Sequence, residues 1–246
     1  MNSNTPFDAM FSGVIGQEYD LLKLICPFAT EMSRLVGAKL GEIASAQGQP
    51  VQVVELGGGT GITTLAILSA HADLRVLSID NEPTMQRQAQ QSLSAWVNEG
   101  RLSFSGDDAL TALANMPDGS VDAIGSAYTL HNFESGYRER VIQEIFRVLK
   151  PGAWFVNGDR YALDDIDAHT RATQQEVAGY FKVLTGIQRL DVLEHWIIHL
   201  FSDESVNHVM REAVARHQMA EAGFQQIEFT SRMAVNALMT ANKPLL

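Results

Sequence analysis

A single cysteine, Cys26, stands in a chain of 246 residues. One thiol closes no internal disulfide and supplies no multi-cysteine zinc site, so a disulfide framework and a zinc-ribbon type of fold are both excluded. Cys26 lies in an apolar stretch, residues 21–28, where packing as a small hydrophobe is its expected role. Positive charge is scarce as well: 18 Lys and Arg face 29 Asp and Glu, a net charge of -11. That balance works against a polyphosphate backbone and disfavours nucleic acid as a partner. No apolar run approaches the roughly 18 to 20 residues that a membrane span requires. The longest, residues 196–201, is interrupted by His199. The start, MNSNTPFDAM, has neither the basic region nor the apolar region of a secretory signal, so the expected location is cytoplasmic. No repeat, low-complexity tract or Pro-rich linker marks off a second domain.

What is present is ordinary globular material, 46% hydrophobic and 19% charged. A β-branched run over Val51–Leu56 ends at Gly57, Gly58 and Gly59 and reads as a buried strand closed by a tight turn. Helical signals follow over residues 61–70, then an apolar strand over 74–80. Asn81, Glu82 and Pro83 start a helix reaching to about Val97. Strands over 101–104, Val121–Ala127 and 153–161 continue the series, with a helix over 134–149 stopped by Lys150, Pro151 and Gly152. Such alternation predicts βαβ units, right-handed crossovers and a mostly parallel sheet covered on both faces, with ligands at the carboxyl ends of the strands.

Residues 30–46 carry apolar groups at helical spacing and form a helical cover. Three helices over 164–183, 187–201 and 203–222 exceed what one crossover needs, so residues 164–201 read as a helical cap inserted over the binding edge. Two strands over 224–231 and 233–240 form a hairpin, which makes the last strand antiparallel. The expected organisation is one domain over 1–246: cover 1–50, cofactor-binding core 51–161, cap about 164–201, and last helix with hairpin 203–246. The apolar stretch 190–201 suits either an acceptor chamber or a homodimer contact.

The loop Glu55-Leu56-Gly57-Gly58-Gly59-Thr60-Gly61 carries the chemistry. A nicotinamide-type G-x-G-x-x-G would need glycine where Ile62 stands, and the Gly-Lys pair of a phosphate-cradling loop is absent. The spacing is G-x-G-x-G preceded by an acid. Glu55 suits an ammonium group and would repel a pyrophosphate. Asp80, ending the second strand, can accept both hydroxyls of a ribose. After the third strand, Gly106, Asp107, Asp108 and Ala109 offer a carboxylate to the exocyclic amine of an adenine, although an Asp there is equally suited to capping the next helix. Amino acid, ribose and adenine are the three parts of S-adenosylmethionine.

The segments VVELGGGTG (53–61), LSIDNEPTM (77–85), SGDDAL (105–110), MPDGSVDAIGSAYTLHNF (116–133) and RVLKPGAWFV (147–156) resemble the class I S-adenosylmethionine-dependent methyltransferases of small-molecule type. AEAGFQQIEF (220–229) is similar to that family's last helix and sixth strand. The resemblance implies a Rossmann-like, doubly wound α/β sheet of seven strands with S-adenosyl-L-methionine as cofactor. By it, Glu55, Gly57, Gly58, Gly59 and Thr60 would border the methionine moiety. Asp80 would bind the ribose, and Asn81 and Met85 would line the adenosine. Gly106, Asp107, Asp108 and Ala109 would meet the adenine, and Ser126 would offer its carbonyl near the amino group. Tyr19 with Asp20, preceded by Phe7 and Asp8, resembles a segment that closes over the cofactor. The (Asp/Asn/Ser)-Pro-Pro-(Tyr/Phe) tetrapeptide of amide and base nitrogen methylation is missing, since the chain reads Gly125-Ser126-Ala127-Tyr128.

Methyl transfer from a sulfonium needs positioning and a deprotonated nucleophile, so its catalytic group is weakly marked. His131 stands where a general base or substrate ligand would sit, with Tyr128 beside it. Arg160, at the end of the fifth strand, could clamp a carboxylate or form an ordinary ion pair. His195 and His199 share a helix face at i and i+4, but packing is the expected reason and no metal site is assigned. The expected activity is methyl transfer to a small molecule. The alternatives are a carboxy-S-adenosylmethionine synthase-like modification of the cofactor, for which Arg160 could hold the extra carboxylate, and a non-catalytic cofactor-binding partner protein.

Overall fold

A computed structural model of the chain describes residues 27–245. The expectations attached to Phe7, Asp8, Tyr19, Asp20 and Cys26 lie outside the described residues. Helix α1 (Pro27–Gln47) leads into β1 (Val51–Leu56), α2 (Ile62–Ala70), β2 (Leu74–Ile79), α3 (Pro83–Ser92), α4 (Ser94–Asn98) and β3 (Leu102–Ser105). There follow α5 (Ala109–Ala114), β4 (Val121–Ala127), a 3-10 turn at Leu130–Asn132, α6 (Ser135–Val148) and β5 (Leu149–Arg160). Helices α7 (Ile166–Gly186), α8 (Leu190–Asp203) and α9 (Glu212–Ala222) then precede the hairpin β6 (Gln225–Met233) and β7 (Asn236–Asn242).

The seven strands form one sheet in the order β3-β2-β1-β4-β5-β7-β6. Strands β1 to β5 pair in parallel, while β7 runs antiparallel to both β5 and β6. The order reverses at β1 and β4, so a crevice opens beyond their carboxyl ends, where open α/β sheets bind ligands. One face packs under α1 and α2 through Val36, Leu40 and Ile67. The other packs under α5, α6 and α9 through Leu113, Ile145, Met219 and Phe224. Helices α7 and α8 bury their own small cluster, Tyr180, Leu184, Val192, Leu193, Trp196 and Leu200.

Local signals account for most boundaries. The Glu82 side chain accepts the Met85 N–H and Pro83 occupies the first turn of α3. Asp165 caps α7 by accepting the Ala168 N–H at 2.9 Å. Two expectations need correction. The helix expected to run to Val97 breaks at Leu93, whose buried side chain packs beneath Gly61, its Cδ1 2.7 Å from where a Gly61 Cβ would stand. The last helix begins at Glu212 rather than at residue 203. The preceding backbone is drawn into a bridge instead, with the Ala162 N–H on Met210 O at 2.8 Å and the Glu212 N–H on Ala162 O at 3.1 Å.

Helices α1 and α2 touch backbone to backbone at Gly37, where an added Cβ would lie 2.5 Å from the Ala66 carbonyl atoms. Overpacking of that kind costs about 1–3 kcal/mol. Gly37→Ala is expected to lose stability of that order in urea unfolding. Gly179→Ala, in the interior of α7 with no heavy atom within 4 Å of the added Cβ, is expected to gain about 0.5–1 kcal/mol. Equal effects from the two substitutions would contradict this packing.

Candidate functional site

A cleft of about 850 Å³, counting its solvent-open mouth, lies at the carboxyl ends of β1, β2 and β4. Its floor is the turn after β1. The N–H groups of Gly57 and Gly58 donate to Ile79 O at 2.9 and 3.1 Å, tying the loop to the end of β2. Gly57 and Gly59 take φ values of +70° and +52°, the left-handed region that glycine enters without penalty. At Gly57 a Cβ would come 2.0 Å from Thr129 Oγ1, and at Gly58 one would come 1.9 Å from Ser78 Oγ. At Gly59 the nearest atom is 3.9 Å away, so this residue faces open cleft.

Asp80 is the cleft's anchored acid. Its Oδ2 accepts the Gly59 N–H at 2.7 Å and its Oδ1 accepts the Glu82 N–H at 2.8 Å. Each oxygen has a second lone pair, so a vicinal diol can still be bound. Burial pushes the Asp80 carboxyl above its ordinary range, against the two N–H groups that hold it down. Asn81, Met85, Asp107 and Ala109 continue the wall on one side, and Tyr128, Thr129, Asn132 and Phe133 on the other. Tyr128 has φ +51°, uncommon for a bulky residue, and its hydroxyl donates to Asn236 Oδ1.

Glu55 sits behind the loop rather than on the cleft wall, fully buried, with Thr64 Oγ1 donating to its Oε2 at 2.6 Å. Its Oε1 has no hydrogen-bond partner. Burial pushes this carboxyl up to about 7 against the hydroxyls of Thr64 and Ser78.

A second, smaller cavity of about 230 Å³ lies between β5 and the α7–α8 pair, lined among others by His131, Arg160, His169 and Asp203. His131 Nδ1 and Asp159 Oδ1 are 2.6 Å apart. Asp159 also accepts the N–H groups of Leu130 and Arg160 at 2.9 and 2.8 Å. Burial would raise this carboxyl, but His131 and the hydrogen bonds from His131, Arg160 and Asn157 hold it below its ordinary range. Arg160 is tied to Glu176 at 2.6 Å, and its other terminal nitrogen reaches Glu204 at 3.3 Å. His169 closes on the same Glu204 at 2.6 Å.

The cleft therefore brings together Gly57, Gly58, Gly59, Asp80, Asn81, Met85, Asp107, Ala109 and Tyr128. It does not include Glu55, Thr60, Gly106, Asp108 or Ser126. Asp108 is the N-cap of α5, its carboxylate accepting from Thr111 N at 3.0 Å and from Tyr137 Oη at 2.9 Å. Ser126 is buried and donates to Leu56 O at 3.1 Å. His131 and Arg160 belong to the second cavity, and Arg160 is committed to Glu176 of α7 and Glu204 just after α8 instead of being available to clamp a carboxylate on a ligand. Ala29, Ser33 and Thr63 also line the cleft; Ser33 and Thr63 hydroxyls lie 2.8 Å apart. They escape sequence reading because α1 and α2 are ordinary helices until their ends meet. Asp203, four residues after His199, was legible as an i, i+4 pair, whereas His195 is exposed and bonds only its own helix, Nδ1 lying 2.6 Å from Asp191 O.

These residues fit a bound S-adenosyl group: an open glycine turn, an anchored acid able to take a diol, and a further acid, Asp107, at the next strand end. Residues 53–152 match the family model described as a methyltransferase domain. The chain is 25% identical over 241 residues to a carboxy-S-adenosyl-L-methionine synthase from Shewanella amazonensis, covering 94% of this chain and 93% of that protein. A protein of the same name from Klebsiella pneumoniae subsp. pneumoniae is 25% identical over 204 residues, 80% of each chain. The structure of an O-methyltransferase family protein from Burkholderia thailandensis superposes with a TM-score of 0.66 at 16% identity, over 94% of this chain. This chain spans 60% of that longer one. Among the described residues no helix is long and apolar enough to cross a membrane.

The raised Glu55 carboxyl makes stability depend on pH. Its folded value of about 7 exceeds the ordinary 4.5, so the folded state holds the proton more tightly and stability falls as pH rises between the two. The full cost, roughly 3 kcal/mol at about 1.4 kcal/mol per unit, is present above pH 7. Relative to Glu55→Gln, the wild-type protein is expected to lose stability of that order between pH 5 and pH 8 without ligand. Parallel pH profiles in urea unfolding would show that Glu55 is not held neutral by burial.

Proposed function

We propose that the chain is a class I S-adenosylmethionine-dependent methyltransferase, a reading supported by the match of residues 53–152 to a methyltransferase domain, and that it methylates a small-molecule acceptor in the cleft. Asp80 carries the reading: a buried carboxylate braced by two backbone N–H groups yet open to the cleft. Its oxygens would accept the ribose hydroxyls, and Asn81 and Met85 would flank the adenosine, with Asp107 near the adenine amine. Gly57, Gly58 and Gly59 would border the methionine portion, with the Glu55 carboxylate behind them as a buried counter-charge to the ammonium. When bound, the cofactor supplies an electrophilic methyl group on a positively charged sulfur.

The acceptor side would be the wall of Tyr128, Thr129, Asn132 and Phe133, because the opposite wall is matched to the adenosine. His131 stands directly behind it, its ring edge-on to Tyr128 with centroids 5.8 Å apart, fixed by Asp159. In this role His131 acts through Tyr128, holding the acceptor wall in place. The net charge of -11, with only 18 Lys and Arg in the sequence, supports a small neutral or cationic acceptor over nucleic acid. A second reading, synthesis of a carboxylated cofactor, is supported by the name of the relatives at 25% identity. The commitment of Arg160 to Glu176 and Glu204 weighs against that residue as the holder of the extra carboxylate.

Calorimetry is expected to detect S-adenosylmethionine binding. Asp80→Ala should weaken it about 10- to 100-fold, the effect of removing charge-assisted hydrogen bonds of about 1.5–3 kcal/mol. No binding by the wild-type protein overturns the proposal. Mass spectrometry of ligand carried through purification separates the two readings, since a carboxylated cofactor favours the second. On an accepted substrate, His131→Ala is expected to lose at least about 100-fold in turnover with cofactor affinity retained. Full turnover removes His131 from the reaction.

A further inference from the structure

Three buried groups converge where the cap meets the sheet: His131 from the 3-10 turn, and His199 with Asp203 one helical turn apart on α8. Their ligating atoms all lie within 4.8 Å of one another. His199 Nε2 is 3.6 Å, Arg160 Nε 3.8 Å and His131 Nε2 4.0 Å from the same oxygen, Asp203 Oδ2. A charge-assisted hydrogen bond would close to about 2.7–2.9 Å. All three therefore stand off the carboxylate by about an ångström. Ligands held at about 2.0–2.2 Å around a tetrahedral ion lie about 3.4 Å apart, so the three groups, 3.6 and 4.0 Å from the shared oxygen and all within 4.8 Å, would draw in slightly to hold one.

Two further observations point to a cation. His131 Nδ1 is held by Asp159 at 2.6 Å, which leaves Nε2 to the cavity, as when a carboxylate orients a ligating imidazole from behind. The junction also gathers the carboxylates of Asp159, Glu176, Asp203 and Glu204 around the guanidinium of Arg160. We propose that His131, His199 and Asp203 bind a divalent transition-metal ion, zinc first among them, between the cap and the sheet.

Imidazole and carboxylate ligands suit zinc, and three protein ligands leave a coordination position open. The adjoining cavity, lined by His131, His169 and Asp203, has space there for about one water. Metal binding itself needs neither cofactor nor acceptor.

The test uses the full chain without an affinity tag, stripped with a chelator and dialysed against zinc or cobalt. Elemental analysis is expected to find about one zinc per chain, and the cobalt form a visible absorption band. His199→Ala and the volume-matched Asp203→Asn should each lower uptake at least about tenfold and abolish the band. His195→Ala, at the exposed neighbour on the same helix, should leave both unchanged. Circular dichroism on each variant separates loss of the site from loss of the fold. Failure of the wild-type chain to take up zinc at micromolar concentration overturns the site, as does wild-type uptake by folded His199→Ala. Calorimetry with S-adenosylmethionine on the same stripped protein distinguishes the two proposals. Cofactor binding without zinc uptake removes only the metal, and zinc uptake without cofactor binding removes only the methyltransferase reading.

Discussion

The N–H groups of Gly57 and Gly58 share one acceptor, the Ile79 carbonyl, and this tie between the ends of β1 and β2 sets the rest of the cleft. Two successive amides can converge on one oxygen only if the chain turns back within a residue, which the positive φ of Gly57 permits. The turn lowers the loop onto Ser78 and Thr129, leaving no space for a side chain at Gly57 or Gly58. It also aims the Gly59 N–H at Asp80, so the acid at the end of β2 is anchored by the loop at the end of β1. The strand order makes this junction a crevice, because the chain leaves β1 toward β2 on one side and reaches β4 on the other.

That junction was legible in the sequence because its requirements are local. A continuous apolar strand, glycines at fixed spacing and an acid after the next strand each follow from a short stretch of chain, and Val51–Leu56 and Val121–Ala127 fall where hydrophobic patterning alone places them. Where local chemistry offered two outcomes, tertiary context decided. Asp107 and Asp108 are adjacent and chemically identical, yet Asp108 caps α5 and binds Tyr137 while Asp107 reaches the cleft. Glu55 is in the expected strand, but the close approach of the loop leaves it behind the wall rather than on it.

The acidic excess proves to have two locations with different physics. In the cleft, Asp80 is offset by backbone N–H groups and Glu55 by two hydroxyls, partners that carry no formal charge and so leave each group responsive to an incoming cation. At the junction of cap and sheet the acids are instead matched against Arg160, which bridges Glu176 and Glu204 on either side of the cavity. A buried guanidinium held in this way is expensive to expose, since removing one partner leaves charge without water or counter-ion. The apolar cluster of α7 and α8 gives that pair a core of its own, so this polar seam fixes where the pair stands relative to β5.

The histidines show why the seam was the least readable part of the chain. Helical spacing pairs His195 with His199, but α8 turns His195 outward and His199 inward, so the informative pair is His199 with Asp203. The third member, His131, reaches the seam through a 3-10 turn that buries it at 4% exposure instead of projecting it into the cleft beside Tyr128. Its neighbours are supplied by β5 and α8, elements whose placement depends on the whole sheet order. Periodicity identifies the face of one helix; convergence of three elements is a property of the fold. The direction of the His131 ring is set the same way, by Asp159 of β5 on one side and the edge of Tyr128 on the other.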